Sequence, residues 1–504
     1  MNAALPLAFS GDPQDLARRY DTVAYAAQAN ALSHPRHLAT VATLLGLVPP
    51  PLASCRVLEV GCSDGANLLP MAATLPHATL VGCDLSHAAI AAAHATAGAL
   101  GLGNVEFVAR DLASLSADDG PFDYIVAHGV YSWVPPAVRD ALLALMQRVL
   151  APSGIGFVSY NVLPGCHVRR VAWDVLHRHV DGIAEPAAKL AAARAFAALM
   201  AEPGATQTEA DGVLRQEFRR LATQTDSALF HDDLAVPNDP VYVEQFAAHL
   251  AQHGLAFVGE AKLSMMTAAG LAPAMQRYIA TLDRLPREQY LDFARMRRFR
   301  QSLVCRTDAP AASTGIEARV GGMHVAAATA FVRAAAEGRM ADGTASADAG
   351  VRATHRVLHW LVSVAPRVVP VAEAIAWQRA HAPGDAAAAK PLPALLADAC
   401  YAGMVELYVE PPPLATKAGD PPCAAPLVRW QAARQRGVTN LRHEPMRIDD
   451  PVALHLLALA DGTRSRADLA ATLADLLPAT ERAHADTRLD EYLAHFALHG
   501  LLTR

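Results

Sequence analysis

Between Arg56 and Tyr160 short apolar runs alternate with longer amphipathic stretches, and this alternation restricts the fold more than any other feature of the 504 residues. The runs "RVLEVG", "TLVGCD", "VEFVARD", "FDYIVAH" and "GIGFVSYN" read as five strands. Helical segments such as "SHAAIAAAHATAGALG" and "PAVRDALLALMQRVLAP" separate them. Strand–helix–strand repeats need crossover connections, which give a parallel sheet covered on both faces. The spacing predicts an α/β, doubly wound, Rossmann-like sheet whose ligands gather at the carboxyl ends of the strands.

Beyond Pro164 the alternation stops. Residues 167–230 read as helical, either a lid over the sheet or a separate domain, and "FRQSLVCR" reads as one more strand near residue 306. The expected division is 1–165 (N-terminal flap and core), 166–306 (helical insertion and a region completing the sheet), 310–412 and 427–504. The last two segments each end with a helix running into a short apolar strand, the pattern of winged-helix-like α+β modules. Ala335–Gly350 and Pro411–Pro426 read as linkers, and the arginines of "RMRRFR" (Arg295 to Arg300) as a solvated helix face.

Composition narrows the function classes. A net charge of −6 does not favour a broad nucleic-acid surface. Seven scattered cysteines with no CxxC spacing suggest neither a disulfide framework nor a metal site, and a reducing cytoplasm is expected. The start "MNAALPLAFSGDP" lacks a basic region of the secretory kind, and no uninterrupted apolar run is long enough to insert in a membrane.

The turn after the first strand, "EVGCSDG", decides the ligand class. No Lys-Ser or Lys-Thr follows Gly65, so it is not a P-loop, and Gly61-x-x-x-Gly65 departs from the GxGxxG of dinucleotide sites. Glu59 and Asp64 would repel a pyrophosphate; they suit a ligand with a positive end. S-adenosylmethionine has an ammonium, a sulfonium and a ribose, and no phosphate. Glu59 would accept from the ammonium, and Gly61 would let the backbone approach. Asp84, about 20 residues past the turn, would grip the ribose hydroxyls, and Asp111 would reach the adenine amino group. Competing structural roles are helix–strand packing for Gly65, helix capping for Asp84 (with Ser86 a rival) and a plain loop carboxylate for Asp111.

The stretches "VLEVGCSDG", "VGCDLS", "VARDL" and "FDYIVAHGVYSWVP" resemble the first four motifs of the class I S-adenosylmethionine-dependent methyltransferases. "AHGVYSWVP", "SYNVLPGCH", "HGLAFVGEA" and "FRQSLVCR" resemble the bacterial members with a regulatory domain, among them protein lysine methyltransferases of outer-membrane proteins. The resemblance implies methyl transfer to lysine side chains of a protein. The alternatives are a small-metabolite acceptor and a non-catalytic protein-binding module. It implies donor contacts from Glu59, Gly61, Cys62, Gly65, Asp84, Leu85, Asp111, Leu112, His128 and Tyr25. Catalytic or acceptor-lining candidates after the fourth and fifth strands are His128, Tyr131, Trp133, Tyr160 and Asn161, with His167 behind them. Tyr131 and Trp133 would line a channel for an amine stem; Tyr160 or His128 would accept its proton; Asn161 would orient it. Tyr20, Tyr25, His34 and Pro35 are expected to form a flap over the donor. Cys166 stands where relatives carry an aromatic residue, so the acceptor wall there is expected to differ. Expected partners are a protein substrate and, in assembly, a second copy as a homodimer; no nucleic acid and no metal are expected.

Overall fold

In the computed structural model, which describes residues 23, 25–204, 208–340, 343–384 and 390–503, the alternating segments form β1 (Arg56–Val60), β2 (Thr79–Asp84), β3 (Val105–Ala109), β4 (Phe122–Ala127) and β5 (Leu150–Asn161). Two later strands, β6 (Leu255–Glu260) and β7 (Phe299–Arg306), complete a seven-stranded sheet of order β3-β2-β1-β4-β5-β7-β6. β1 to β5 pair in parallel, and β7 lies antiparallel between β5 and β6. The order reverses beside β1, so the carboxyl ends of β1 and β4 open a crevice there.

Helices α1 (Pro35–Leu44), α2 (Leu68–Thr74), α3 (His87–Leu100), α4 (Pro136–Val149) and α5 (Val243–Gln252) cover the sheet. On one face Val57, Tyr124 and Phe157 pack with Leu38, Leu68, Met71 and Ile90. On the other, Leu58, Ile125, Val158 and Tyr160 pack with Leu142 and Met146 of α4 and Phe246 and Leu250 of α5. Alternate strand residues thus serve opposite cores. Local chemistry fixes the helix ends: Ser86 accepts from the Ala89 amide at the start of α3, Gly101 (φ 65°) closes it, and Pro136 opens α4.

"RMRRFR" is not a solvated helix face. Its first residue ends the helix Arg284–Arg295, and the run then enters β7, where Arg300 is wholly buried. The Arg300 guanidinium donates to Glu260, Glu288 and Asp292, and Arg297 also pairs with Asp292. Three buried carboxylates against two arginines make a closed ionic cluster that pins the helix to β6 and β7.

Between β5 and α5 the helices Cys166–His179, Pro186–Met200 and Glu209–Thr223 enclose a core of their own around Leu176, Leu190, Phe218 and Leu221. A small sheet of β8 (His324–Ala327), β9 (Val369–Pro370) and β10 (Val405–Tyr408) follows. The last segment folds around Leu456, Leu469, Leu493 and Phe496, with a hairpin of β11 (Gly437–Thr439) and β12 (Pro445–Arg447) at one edge. Among the described residues no helix is long and apolar enough to cross a membrane, and all seven cysteines are free thiols.

Candidate functional site

β1 carries Glu59 into the crevice, where it is 3% exposed. One carboxylate oxygen accepts from the Asn67 amide at 2.7 Å; the other is buried with no hydrogen-bond partner among the described residues. Burial pushes the carboxyl up to about 8, with Asp84 and Asp64 adding repulsion that the Asn67 bond only partly offsets. An unpaired buried carboxylate oxygen is expensive unless a cationic donor completes it.

The turn beyond it is strained in the manner of ligand-binding turns. Gly61 and Gly65 sit at φ 73° and 77°, and Ser63, not a glycine, at φ 48°. A Cβ at Gly61 would stand 2.9 Å from the Val130 side chain, and one at Gly65 would stand 2.7 Å from the Phe107 ring. The Asp84 carboxylate accepts from the amides of Ser63 and Ser86, so it braces the turn from the end of β2. Ser86, not Asp84, caps α3. Asp111 accepts from the Ala113 amide and caps the short turn Leu112–Ser114. Cys62 is buried, whereas Leu85 and Leu112 are half-buried.

His128 lies on the same side of the sheet as Glu59. Asn30 Nδ2 donates towards its Nε2 at 3.4 Å, so its other nitrogen carries the proton and donates to Ser159 Oγ at 2.8 Å. Burial holds this imidazole down at about 4, so it is neutral and already engaged, a poor proton acceptor. Asn30 also donates to Gln301 on β7 at 2.8 Å, and its backbone amide donates to Asn67 Oδ1 at 2.8 Å.

Tyr131 and Tyr160 do not join this group. Both are buried on the opposite face, packed with Phe246, and burial raises both phenols, Tyr131 to about 12. The Tyr160 hydroxyl is paired with Ser302, and that of Tyr131 with His249, which bonds Asp140 in turn. An amine channel along these rings and a proton acceptor at Tyr160 are therefore not what the structure presents. His253 joins Asp140 and His249 in a group close enough to hold a metal ion, although hydrogen bonds already account for it.

Trp133 is half-buried, and its indole N–H has no partner among the described residues. Asn161 donates to Asn238, whose amide donates to the Asp232 carbonyl. Val241 pairs with the end of β5, so the segment from Asp232 to Val241 borders the carboxyl edge. Asp232 lies in a π-helical turn, Leu229–Asp233; burial and the neighbouring Asp233 raise its carboxyl to about 6. Tyr25 is exposed and meets the His231 ring of that turn edge-on at 5.6 Å. His34 and Pro35 begin α1 instead of covering a ligand, because His34 accepts from the Arg36 amide as its cap. Tyr20 lies outside the described residues. Cys166 is fully buried, donating to the Arg298 carbonyl beside Trp173, and His167 stands 3.3 Å from the Tyr242 hydroxyl.

Sequence reasoning missed Asn30, Asn67, Gln301 and Asp232, and also His443, whose Nε2 lies 2.8 Å from Asn67 Oδ1. Only Asn67, eight residues beyond Glu59, carried a nearby signal: a polar residue opening a helix just after the glycine turn.

Residues 57–154 match the model of a methyltransferase domain. Residues 225–306 match the family described as "Predicted methyltransferase regulatory domain", and residues 420–500 match "PKMT, C-terminal winged helix domain". Two uncharacterized proteins of Rickettsia prowazekii are 35% and 34% identical to the chain, over 291 and 228 residues. These alignments take in 57% and 45% of this chain. The chain spans 53% of the length of the first and 91% of the second. PKMT2 from Rickettsia typhi, solved in complex with AdoHcy, shares the fold over 95% of this chain and 100% of its own, with a TM-score of 0.81 at 23% identity. The chain belongs to the class I S-adenosylmethionine-dependent methyltransferases. Within that class it is one of those that carry a methyltransferase regulatory domain and a PKMT-type C-terminal winged helix.

Proposed function

We propose that the chain binds S-adenosylmethionine at the β1 turn and transfers its methyl group to lysine side chains of a protein. The observation that carries the donor half is the unpaired, buried oxygen of Glu59. It is an acceptor in search of a cation, and the donor's ammonium is one. The residues present fit that donor: Gly61 leaves the backbone open to close approach, and Asp84, steadied by the Ser63 amide, stands one strand over for a ribose. Asp111, Leu85 and Leu112, with Cys62 beneath the turn, would border the adenosine. When bound, the donor supplies an electrophilic methyl on its sulfonium, and the chain's task is to hold and align an acceptor against it.

The acceptor half rests on two supports. PKMT2 shares the whole fold, and the winged-helix match is to a family named for PKMT. The mouth also has the chemistry for an amine. The Asp232 carboxylate, ionised above about pH 6, attracts a lysine ammonium and accepts its proton. Asn161, held by Asn238, and the unpaired Trp133 indole N–H border the same edge. His128 is a positioning residue: with Ser159 and Asn30 it fixes the wall between donor and acceptor.

The test is transfer of labelled methyl from S-adenosylmethionine into an extract of the source cell, separated into protein, nucleic acid and small molecules. Label in protein that survives base and is recovered as methyl-lysine after acid hydrolysis is the expected result. Label confined to small molecules, or methyl recovered on another side chain, contradicts the lysine assignment. Asp232→Asn is expected to lower kcat by about 100-fold while donor affinity stays unchanged, as loss of a general base does. Single-turnover rates alongside a donor titration check it.

A further inference from the structure

The winged-helix segment does more than sit beside the core. Its β11–β12 hairpin turns through Asn440–Glu444, and His443 at the tip has φ 65°, a conformation that bulky side chains rarely adopt. The turn is rigid. Asn440 Oδ1 accepts from the amides of Arg442 and Glu444, and Asn440 Nδ2 donates to the His499 carbonyl. This tip places the His443 ring in the interior of the first domain, 2% exposed and edge-on to His34 at 5.1 Å.

There His443 Nε2 meets Asn67 Oδ1 at 2.8 Å. The direction of the Asn67 amide is set by its other partners. The Asn30 backbone N–H can only donate, so Oδ1 faces it, and the amide nitrogen faces Glu59. Asn67 Oδ1 must then accept from His443, whose Nε2 carries the proton. Burial and nearby Arg36 keep this imidazole neutral, down at about 3, so the bond does not depend on its charge. The Asn30 amide and the His443 ring are the two short donors to the Asn67 oxygen, at 2.8 Å each, with the Ser33 hydroxyl farther off at 3.3 Å, while the Asn67 nitrogen donates to Ser33 Oγ at 3.1 Å as well as to Glu59. The bond joins residues 376 positions apart.

We infer that His443 is a positioning residue for the donor site: the C-terminal winged-helix segment completes that site by locking the Asn67 amide that holds Glu59. This inference rests on the donor reading above. Without His443, Asn67 loses a partner inside the core. Its amide can then turn away, and the Glu59 carboxylate loses the one hydrogen bond that, among the described residues, fixes its other oxygen towards the crevice. The segment is thereby a part of the donor pocket, and whatever moves it moves donor affinity.

The test uses the full chain and calorimetric titration with S-adenosylhomocysteine. His443→Ala is expected to weaken binding about tenfold, the size of one buried polar atom left unpaired. His443→Gln, which keeps a donor nitrogen, is expected to return affinity to within about threefold of the parent. Arg442→Ala, on the same turn but bonded to the Leu498 carbonyl, is expected to bind like the parent. A double-mutant cycle of His443→Ala with Glu59→Gln separates positioning from general damage. If His443 acts through Asn67 and Glu59, the second substitution adds little to the first. Parent-like binding by His443→Ala overturns the inference and leaves the donor reading standing. Equal weakening by Arg442→Ala, or strict additivity in the cycle, overturns it too, by showing a merely structural role. Should His443→Ala fail to fold, His443→Gln decides: tenfold weakening despite its donor nitrogen overturns the inference. No binding by the parent removes the donor reading itself, and the inference with it.

Discussion

Glu59 is the residue on which the site turns. It sits in β1 among Val57, Leu58 and Val60, all apolar and buried, and a carboxylate there costs stability in the empty protein. Its raised value has a definite sign. The stability it contributes is present below the ordinary glutamate range and is lost as pH rises through about 8. Glu59→Gln removes that loss, so above pH 8 the variant is expected to unfold at higher temperature than the parent, by the equivalent of about 1–2 kcal/mol. Calorimetric melts at pH 6 and pH 9 check this; equal melting temperatures at pH 9 contradict it. Glu59, Gly61 and Asp84 were legible because they lie within one strand–turn–strand unit. Asn30, Gln301 and His443 were not, because their partners come from folded neighbours hundreds of residues away in the chain. Tyr131 and Tyr160 were misplaced for a different reason. Sequence position puts a residue near a strand's end, but the face it serves depends on pleat and on which helix covers it; here α5 does, from beyond residue 242.

The five parallel strands could be read from the alternation of apolar runs and helical stretches, as could one further strand from the run "FRQSLVCR", but not its antiparallel direction, which only the pairing with β5 and β6 gives. The arginines around its start, Arg297, Arg298 and Arg300, could not be placed that way. Three arginines within four residues look solvated until the buried carboxylates of Glu260, Glu288 and Asp292 are set against them. Removing the central cation strands those carboxylates in the core. Arg300→Leu is expected to destabilise the chain by about 3–5 kcal/mol, measured by denaturant unfolding. A loss below about 1 kcal/mol would mean that the carboxylates are neutralised by protonation instead. The turn of β1 gives a second test at this scale. Gly61→Arg, with a positive φ and Val130 in the way of its Cβ, is expected to abolish donor binding.

Across the whole molecule the sheet, the regulatory strands and the winged-helix hairpin converge on one network: Glu59 to Asn67, Asn67 to Asn30 and His443, Asn30 to His128 and Gln301. Ligation at its centre is therefore expected to slow hydrogen exchange in residues 437–447 as well as around β1, and protection confined to β1 and β2 would mean that the hairpin is not coupled. The central claim is that the donor's positive charge sits on the unpaired oxygen of Glu59, and its most direct test counts protons. At pH 7 a carboxyl held at about 8 is mostly protonated in the free protein, so pairing with an ammonium must expel that proton. S-adenosylhomocysteine, which carries the same ammonium, is titrated into the parent and into Glu59→Gln at pH 7, in two buffers of different ionisation enthalpy. The account predicts release of close to one proton by the parent, and binding at least about tenfold weaker with no proton release by Glu59→Gln. Parent binding with no proton released, or undiminished binding by Glu59→Gln, would contradict it.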